Sequence, residues 1–163
     1  MPNEEWEGRG VTEAKEYLRR NLRSKIDCVC PVCNQPVRLW KKRMISTAVA
    51  SLVRLVAMYD GSTPIHHDDF TVSLKDRNFS QLVLWDLIRP ASPRSGMENS
   101  AGTWHPTPLG IQFARRQVRV RKHKYTYNNQ RVSYVEDEED IGVVEALRNR
   151  FDYAALISLQ WER

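Results

Sequence analysis

Apolar residues recur at Ile45, Val49, Leu52, Val53 and Val56, with Ala48 beside them. That spacing of three and four is one face of a helix. It predicts a helix over 43–59, stopped by Asp60-Gly61 with Gly61 at the left-handed position past its end. A narrower stripe of Ala14, Tyr17, Leu18 and Leu22 predicts an N-terminal helix starting at Glu13 and capped by Thr12. A third stripe, Phe79, Leu82, Val83 and Leu87, predicts a helix from Arg77 to about Trp85 with Asp76 as its cap.

Short strands follow. Leu87-Ile88-Arg89 leaves the third stripe as an extended segment. Residues 90–102 are rich in Ser, Pro, Gly and Asn and read as an exposed loop, and Thr103-Trp104-His105 resumes as a strand. Thr107 with Pro108 behind it marks a helix start, running to about Arg116. Residues 118–127 alternate and are rich in Val and Tyr. Asn128-Asn129 supplies a tight turn, and 131–135 returns as the partner strand. An acidic run at 136–140 precedes two short helices, over 141–148 and 151–161. Three segments result: an N-terminal helix with a cysteine knuckle (1–42), a central helix-rich part (43–116), and a basic hairpin, acidic run and terminal helices (117–163).

The central order is helix, connector, helix, strand, loop, strand, helix. It resembles the winged helix-turn-helix. Trp85, Asp86, Leu87 and Ile88 resemble the phrase that closes a recognition helix. Gly102, Trp104, Thr107, Gly110 and Phe113 resemble the second wing strand and the helix behind it. Asp86 stands where that family usually has Gly, and Pro106 and Pro108 flank Thr107, so the strand must end there. More diffusely, residues 28–160 resemble small bacterial and phage proteins of uncharacterised activity, with a Cys-Pro-x-Cys knuckle and a terminal phrase like Phe151-Asp152-Tyr153. The resemblance implies an α+β fold with a winged-helix core, an N-terminal knuckle, a C-terminal β-hairpin and short terminal helices.

Charge sharpens this picture. Net charge is +5, divided unevenly: residues 1–131 hold 22 Lys/Arg against 12 Asp/Glu, a net of +10, and residues 132–163 hold 3 against 8, a net of −5. A basic body attracts polyanions. A recognition helix fits the major groove and a wing reaches the backbone or minor groove. Ser73, Lys75, Arg77, Asn78 and Gln81 are the candidates for the groove face. Arg77 suits a guanine edge, and Asn78 or Gln81 an adenine edge. Arg89 and Arg94 fall where a wing meets phosphate. Between Arg115 and Lys124 lie six Lys/Arg in ten residues and no acid. Alternation would set Arg119 and Arg121 on one face with His123, Tyr125 and Tyr127, a pattern for phosphate contact and base stacking. The competing reading is a charge-protected edge strand that the acidic run folds back to neutralise.

All three cysteines, Cys28, Cys30 and Cys33, lie within six residues. An odd, clustered set argues against a secreted disulfide framework and for the reducing cytoplasm, a host's if the chain is phage-encoded. Cys30 and Cys33 form a C-x2-C pair able to give two thiolates to a structural zinc. Cys28 is a candidate third ligand and His66 the leading fourth, ahead of His67, His105 and His123. Small buried cysteines, a metal-free remnant or a redox pair are the alternatives. No Gly-rich phosphate loop, G-x-S-x-G elbow or H-E-x-x-H pair is present. The longest apolar run, Thr47 to Met58, is interrupted by Arg54 and falls short of the roughly 20 residues a membrane span needs. The sequence therefore points to a non-enzymatic nucleic-acid-binding protein, for double-stranded DNA, of phage or mobile-element type. The alternative is a protein-docking module that binds a host complex and uses the acidic run as a phosphate mimic.

Overall fold

The computed structural model describes residues 6, 10–73, 77–91, 102–133, 135 and 139–160. The fold is mixed α+β with small antiparallel sheets, and the chain divides into two compact units. One comprises Met1–Lys42 and His123–Asp137. The other comprises Arg43–Lys122 and Glu138–Arg163.

The first unit begins with helix α1 (Val11–Arg23), whose Ala14 and Leu22 are buried. Its cap is not Thr12, as the sequence suggests, but Gly10, whose N–H donates to the Glu13 carboxylate at 2.9 Å. Glu13 is thus the third helical residue, where an acidic side chain satisfies a free N–H. A two-stranded hairpin follows, β1 (Cys28–Val29) with β2 (Pro36–Val37), pairing Cys28 with Val37 and Val29 with Pro36. β3 (Trp40–Arg43), β8 (His123–Tyr127) and β9 (Gln130–Arg131) make a sheet in the order β3-β8-β9. The turn at Asn128-Asn129 forms as expected. Both residues have positive φ, 50° and 59°, the left-handed pair that a two-residue hairpin loop requires. Tyr125, Val132 and Val135 form a small core with Leu39.

The second unit is built on α2 (Ser46–Met58). It starts three residues later than its apolar pattern suggests, because Arg43 completes β3 and Ile45 is its cap. Val49, Ala50, Ser51, Leu52, Val53 and Leu55 are fully buried, and Ser46, Ala48 and Val56 nearly so. A helix buried almost all round needs neighbours on every side. They are α3 (His67–Phe70), the 3-10 helix Phe79–Trp85, α4 (Pro108–Ala114), α5 (Val143–Leu147) and α6 (Tyr153–Ile157). α2 ends before Asp60-Gly61. Gly61 (φ 100°) sits not in the helix cap but in a turn held by Asp60, whose carboxylate accepts from the Ser62 and Thr63 N–H groups at 2.8 Å. Arg54, the charge inside the apolar run, points its Nη1 at the Phe70 and Thr71 carbonyls, 3.2 Å from each. The Ser51 hydroxyl accepts from the Val72 N–H at 3.1 Å. These two polar residues of α2 fasten the end of α3.

A three-stranded antiparallel sheet flanks these helices: β4 (Ile65–His66), β6 (Thr103–Pro106) and β5 (Ile88–Pro90), in the order β4-β6-β5. Between β4 and β5, the helix expected over 77–85 is a 3-10 helix. Its buried residues are Phe79, Leu82 and Trp85, spaced by three, which is the 3-10 repeat. Val83, expected on the apolar face, is exposed for the same reason. The helix stops at Asp86, which has φ 58°. This left-handed position favours glycine, and Asp86 occupies it with a side chain.

Behind β6, Thr107 caps α4 as expected, accepting the Gly110 N–H at 3.0 Å. The Thr107 hydroxyl also donates to the Asp86 carbonyl at 2.5 Å, and its N–H donates to the Leu87 carbonyl at 3.0 Å. A Cβ on Gly110 would lie 1.9 Å from the Leu87 carbonyl oxygen. No side chain fits between these two backbones.

The long strand expected over 118–127 is broken at Lys122. β7 (Val120–Arg121) pairs with β10 (Asp140–Ile141) in the second unit, whereas β8 belongs to the first. The terminal helices are shorter than their patterns: 141 is strand rather than helix, and α6 ends at Ile157. Among the described residues, no helix is long and apolar enough to cross a membrane.

Gly110→Ala is expected to lower stability by about 3 kcal/mol, since overpacking against backbone leaves no side chain to move aside. Thr107→Val should cost about 1–2 kcal/mol through the lost cap. Urea denaturation measures both; a Gly110→Ala protein as stable as the parent would contradict the close approach.

Candidate nucleic-acid interface

The sheet and the residues leading into the 3-10 helix bring His66 and Arg77 to one cavity of the second unit. Pairing of β4 with β6 sets His66 opposite Thr103 and Ile65 opposite Trp104. His67, Phe70, Phe79 and Trp104 form a continuous aromatic chain with ring centroids 4.8–6.0 Å apart. The buried members hold the start of the 3-10 helix against β6. A cavity of about 390 Å3 opens above them, lined by His66, His67, Asp68, Arg77, Ser80, Gly102 and Trp104.

Arg77 is exposed at its edge. Asn78 and Gln81 are half-buried and joined, the Gln81 amide donating to the Asn78 Oδ1 at 3.1 Å. Ser73 is half-buried. Lys75 and Arg94 lie outside the described residues. Arg89 is exposed on β5, opposite His105 of β6. His105 is in turn bonded to the Tyr59 hydroxyl at 3.2 Å. Burial first, and Arg89 second, hold the His105 imidazole below its ordinary range, partly opposed by Asp60.

His66 belongs to the second unit, at the cavity beside Arg77, and the cysteines belong to the first. His67, a further ligand candidate, also lines the cavity, as do Ser80 and Trp104, which residue spacing alone gave no reason to select. The pairing of β4 with β6, distant in sequence, creates their neighbourhood.

The basic segment is arranged differently from its alternation pattern. Arg119 donates to the Glu145 carboxylate at 2.9 Å and to the Asp140 carbonyl at 2.8 Å. Its hydrogen bond holds the Glu145 carboxyl below the usual carboxylate range. Arg121 pairs with Asp140 at 3.1 Å, and Lys122 with Glu139 at 2.6 Å. The described end of the acidic run therefore folds back on the basic segment, as one of the two sequence readings expects. Residues 136–138 lie outside the described residues. Arg116, Arg119 and Arg148 share a groove of about 640 Å3 with Val118, Val143 and Glu145.

In the first unit the cysteines are free thiols. The Cys30 N–H donates to the Gln35 carbonyl and the Asn34 N–H to the Cys30 carbonyl, both at 2.9 Å, so residues 30–35 close a tight turn. Asn34 takes the left-handed conformation there, φ 57°. Hydrogen bonds from the Cys33 and Val32 backbone hold the Cys30 thiol below its ordinary range, while burial raises that of Cys28. Among the described residues, no group of three or more His, Cys, Asp or Glu is disposed to hold a metal ion.

His105 sets a pH dependence. A base whose pKa is lower in the folded than in the unfolded chain binds fewer protons when folded. Its contribution to stability is complete above the unfolded imidazole pKa and is lost as pH falls through the folded value. Thermal stability should therefore drop on acidification through the imidazole range, and His105→Asn should flatten that part of the profile. Parallel profiles for the two proteins would remove His105 from this role.

The chain matches no protein-family model, no curated protein and no solved structure.

Proposed function

We propose that this protein binds double-stranded nucleic acid, DNA in preference to RNA, through a winged-helix face of its second unit. The observation that carries the reading is topological. α2, β4, α3, the 3-10 helix, β5 and β6 follow one another in chain order, and their strands pair as β4-β6-β5. That is a helix, a strand, two helices and a strand pair, and the chain between β5 and β6 falls at the sequence position of a wing. In such a frame the second of the two helices is the groove reader and the β5–β6 connection meets the backbone.

The side chains available suit that task. Arg77 lies two residues before the reading helix, and Ser80 of that helix lines the same cavity. Arg89 stands on the strand leading to the wing position. Asn78 and Gln81 carry the amide chemistry that recognises adenine, although their mutual bond must be exchanged for a base edge. The helix is short, so the contact surface is correspondingly small, and phosphate contacts supply most of the affinity. The basic segment contributes less than its composition suggests, because Arg119, Arg121 and Lys122 already hold acidic partners. The same ion pairs weigh against the docking alternative, since Glu139 and Asp140 would have to leave them to imitate phosphate. No catalytic step is part of this reading.

The test is fluorescence anisotropy with a random-sequence duplex across a salt series. Arg77→Ala and Arg89→Ala should each weaken binding about 5–10-fold and reduce the slope of log K against log salt by about 1, as expected for one lost phosphate contact. Affinity and slope unchanged in both variants would reject this face.

A further inference from the structure

The hairpin tip of the first unit has a use that nucleic-acid binding leaves unassigned. The Cys30–Cys33 turn has the form of a metal knuckle. Its ends are tied by the Cys30–Gln35 and Cys30–Asn34 backbone bonds, and a left-handed Asn34 follows the second cysteine. Cys33 is exposed.

Two thiolates fill only half of a tetrahedral zinc site. Every Cys and His of the sequence lies among the described residues, and none of them joins this pair into a larger ligand group. Cys28, two residues back, is committed to strand β1 opposite Val37.

The surroundings of the tip say what completes the site. Val32 is 68% exposed, Val29 45% and Ile26 54%, an apolar rim around the thiols that stands open to water. Residues 28–37 contain no charged side chain, in a chain whose net charge is +5. At the base of the hairpin Asp27 and Arg38 neutralise each other at 2.7 Å. Two copies of a basic protein repel one another over most of their surface, but at this neutral tip they can meet. A two-fold axis through the metal then supplies four equivalent thiolates and buries both sets of valines, the self-complementary contact of a symmetric dimer.

We propose that Cys30 and Cys33 form a zinc half-site that is completed by the same two cysteines of a second copy of this chain. Each zinc displaces four thiol protons, two from each copy, and no oxidation state changes. His66, first considered as a ligand, has no part in it.

The experiment uses the full chain, reduced, loaded with zinc chloride and passed through gel filtration with light scattering and elemental analysis. The expected species has twice the chain mass and 0.5 zinc per chain, which is one metal shared by two copies. Chelation should return it to monomer. X-ray absorption should show four sulfur neighbours at about 2.3 Å. Cys30→Ser and Cys33→Ser should each abolish zinc retention and dimer together, whereas Cys28→Ser should keep both; circular dichroism checks that each variant is folded. One zinc per chain in a monomer, no retained zinc, or a dimer that survives chelation would each overturn the proposal. The parent's stoichiometry decides even if a variant fails to fold. Duplex binding by the chelated monomer is read separately and bears only on the proposed winged-helix face.

Discussion

The second unit depends on the contact between Gly110 and the Leu87 carbonyl. Two backbone segments meet there with no side chain between them. The 3-10 helix must end at Asp86 for Leu87 to reach that place, and α4 must start at Pro108 for Gly110 to face it. Thr107 bonds to both sides, taking the Leu87 and Asp86 carbonyls and capping α4 with the same hydroxyl. β5 leaves one side of this junction and β6 enters the other, so the junction fixes where the strands pair. The Trp85 indole adds a distant tie, donating to the Arg121 carbonyl at 2.6 Å. Arg77 and Arg89 owe their positions to elements set in place by this junction.

Much of the fold was legible because its signals are local. The apolar repeat of α2, the Thr107–Pro108 start of α4 and the Asn128-Asn129 turn each depend on residues within a few positions. Asp86 ends the 3-10 helix in the left-handed conformation, a backbone state that no apolar pattern signals. The misreadings have a common cause. Phe79, Leu82 and Trp85 satisfy a period of three as well as 3.6, and burial, not local propensity, selected the tighter helix. The alternation over 118–127 was real, but the chain passes from one unit to the other at Lys122, and no local pattern marks that point. The cavity residues His66, His67, Ser80 and Trp104 come together only through β4–β6 pairing, which is a long-range event.

Charge followed the same division. Composition drew attention to the run from Arg115 to Lys124, the densest cluster of positive charge in the chain. Its cations are largely spoken for: Glu139, Asp140 and Glu145 return to it from later in the sequence. Exposed pairs of this kind contribute little stability, but they lower the field available to an incoming polyanion. The exposed Arg77 and Arg89 are fewer, yet Arg77 leads into the 3-10 helix and Arg89 stands on β5, the elements whose topology suits a groove. Placement therefore weighs more than density in the proposed interface.

The most direct test of that account is a hydrogen-exchange footprint of the protein with and without a duplex of random sequence. Binding through the proposed face predicts protection over 77–91 and 102–107, with 115–122 and 143–149 unchanged. Protection confined to the latter two segments, or none in either region, would contradict it.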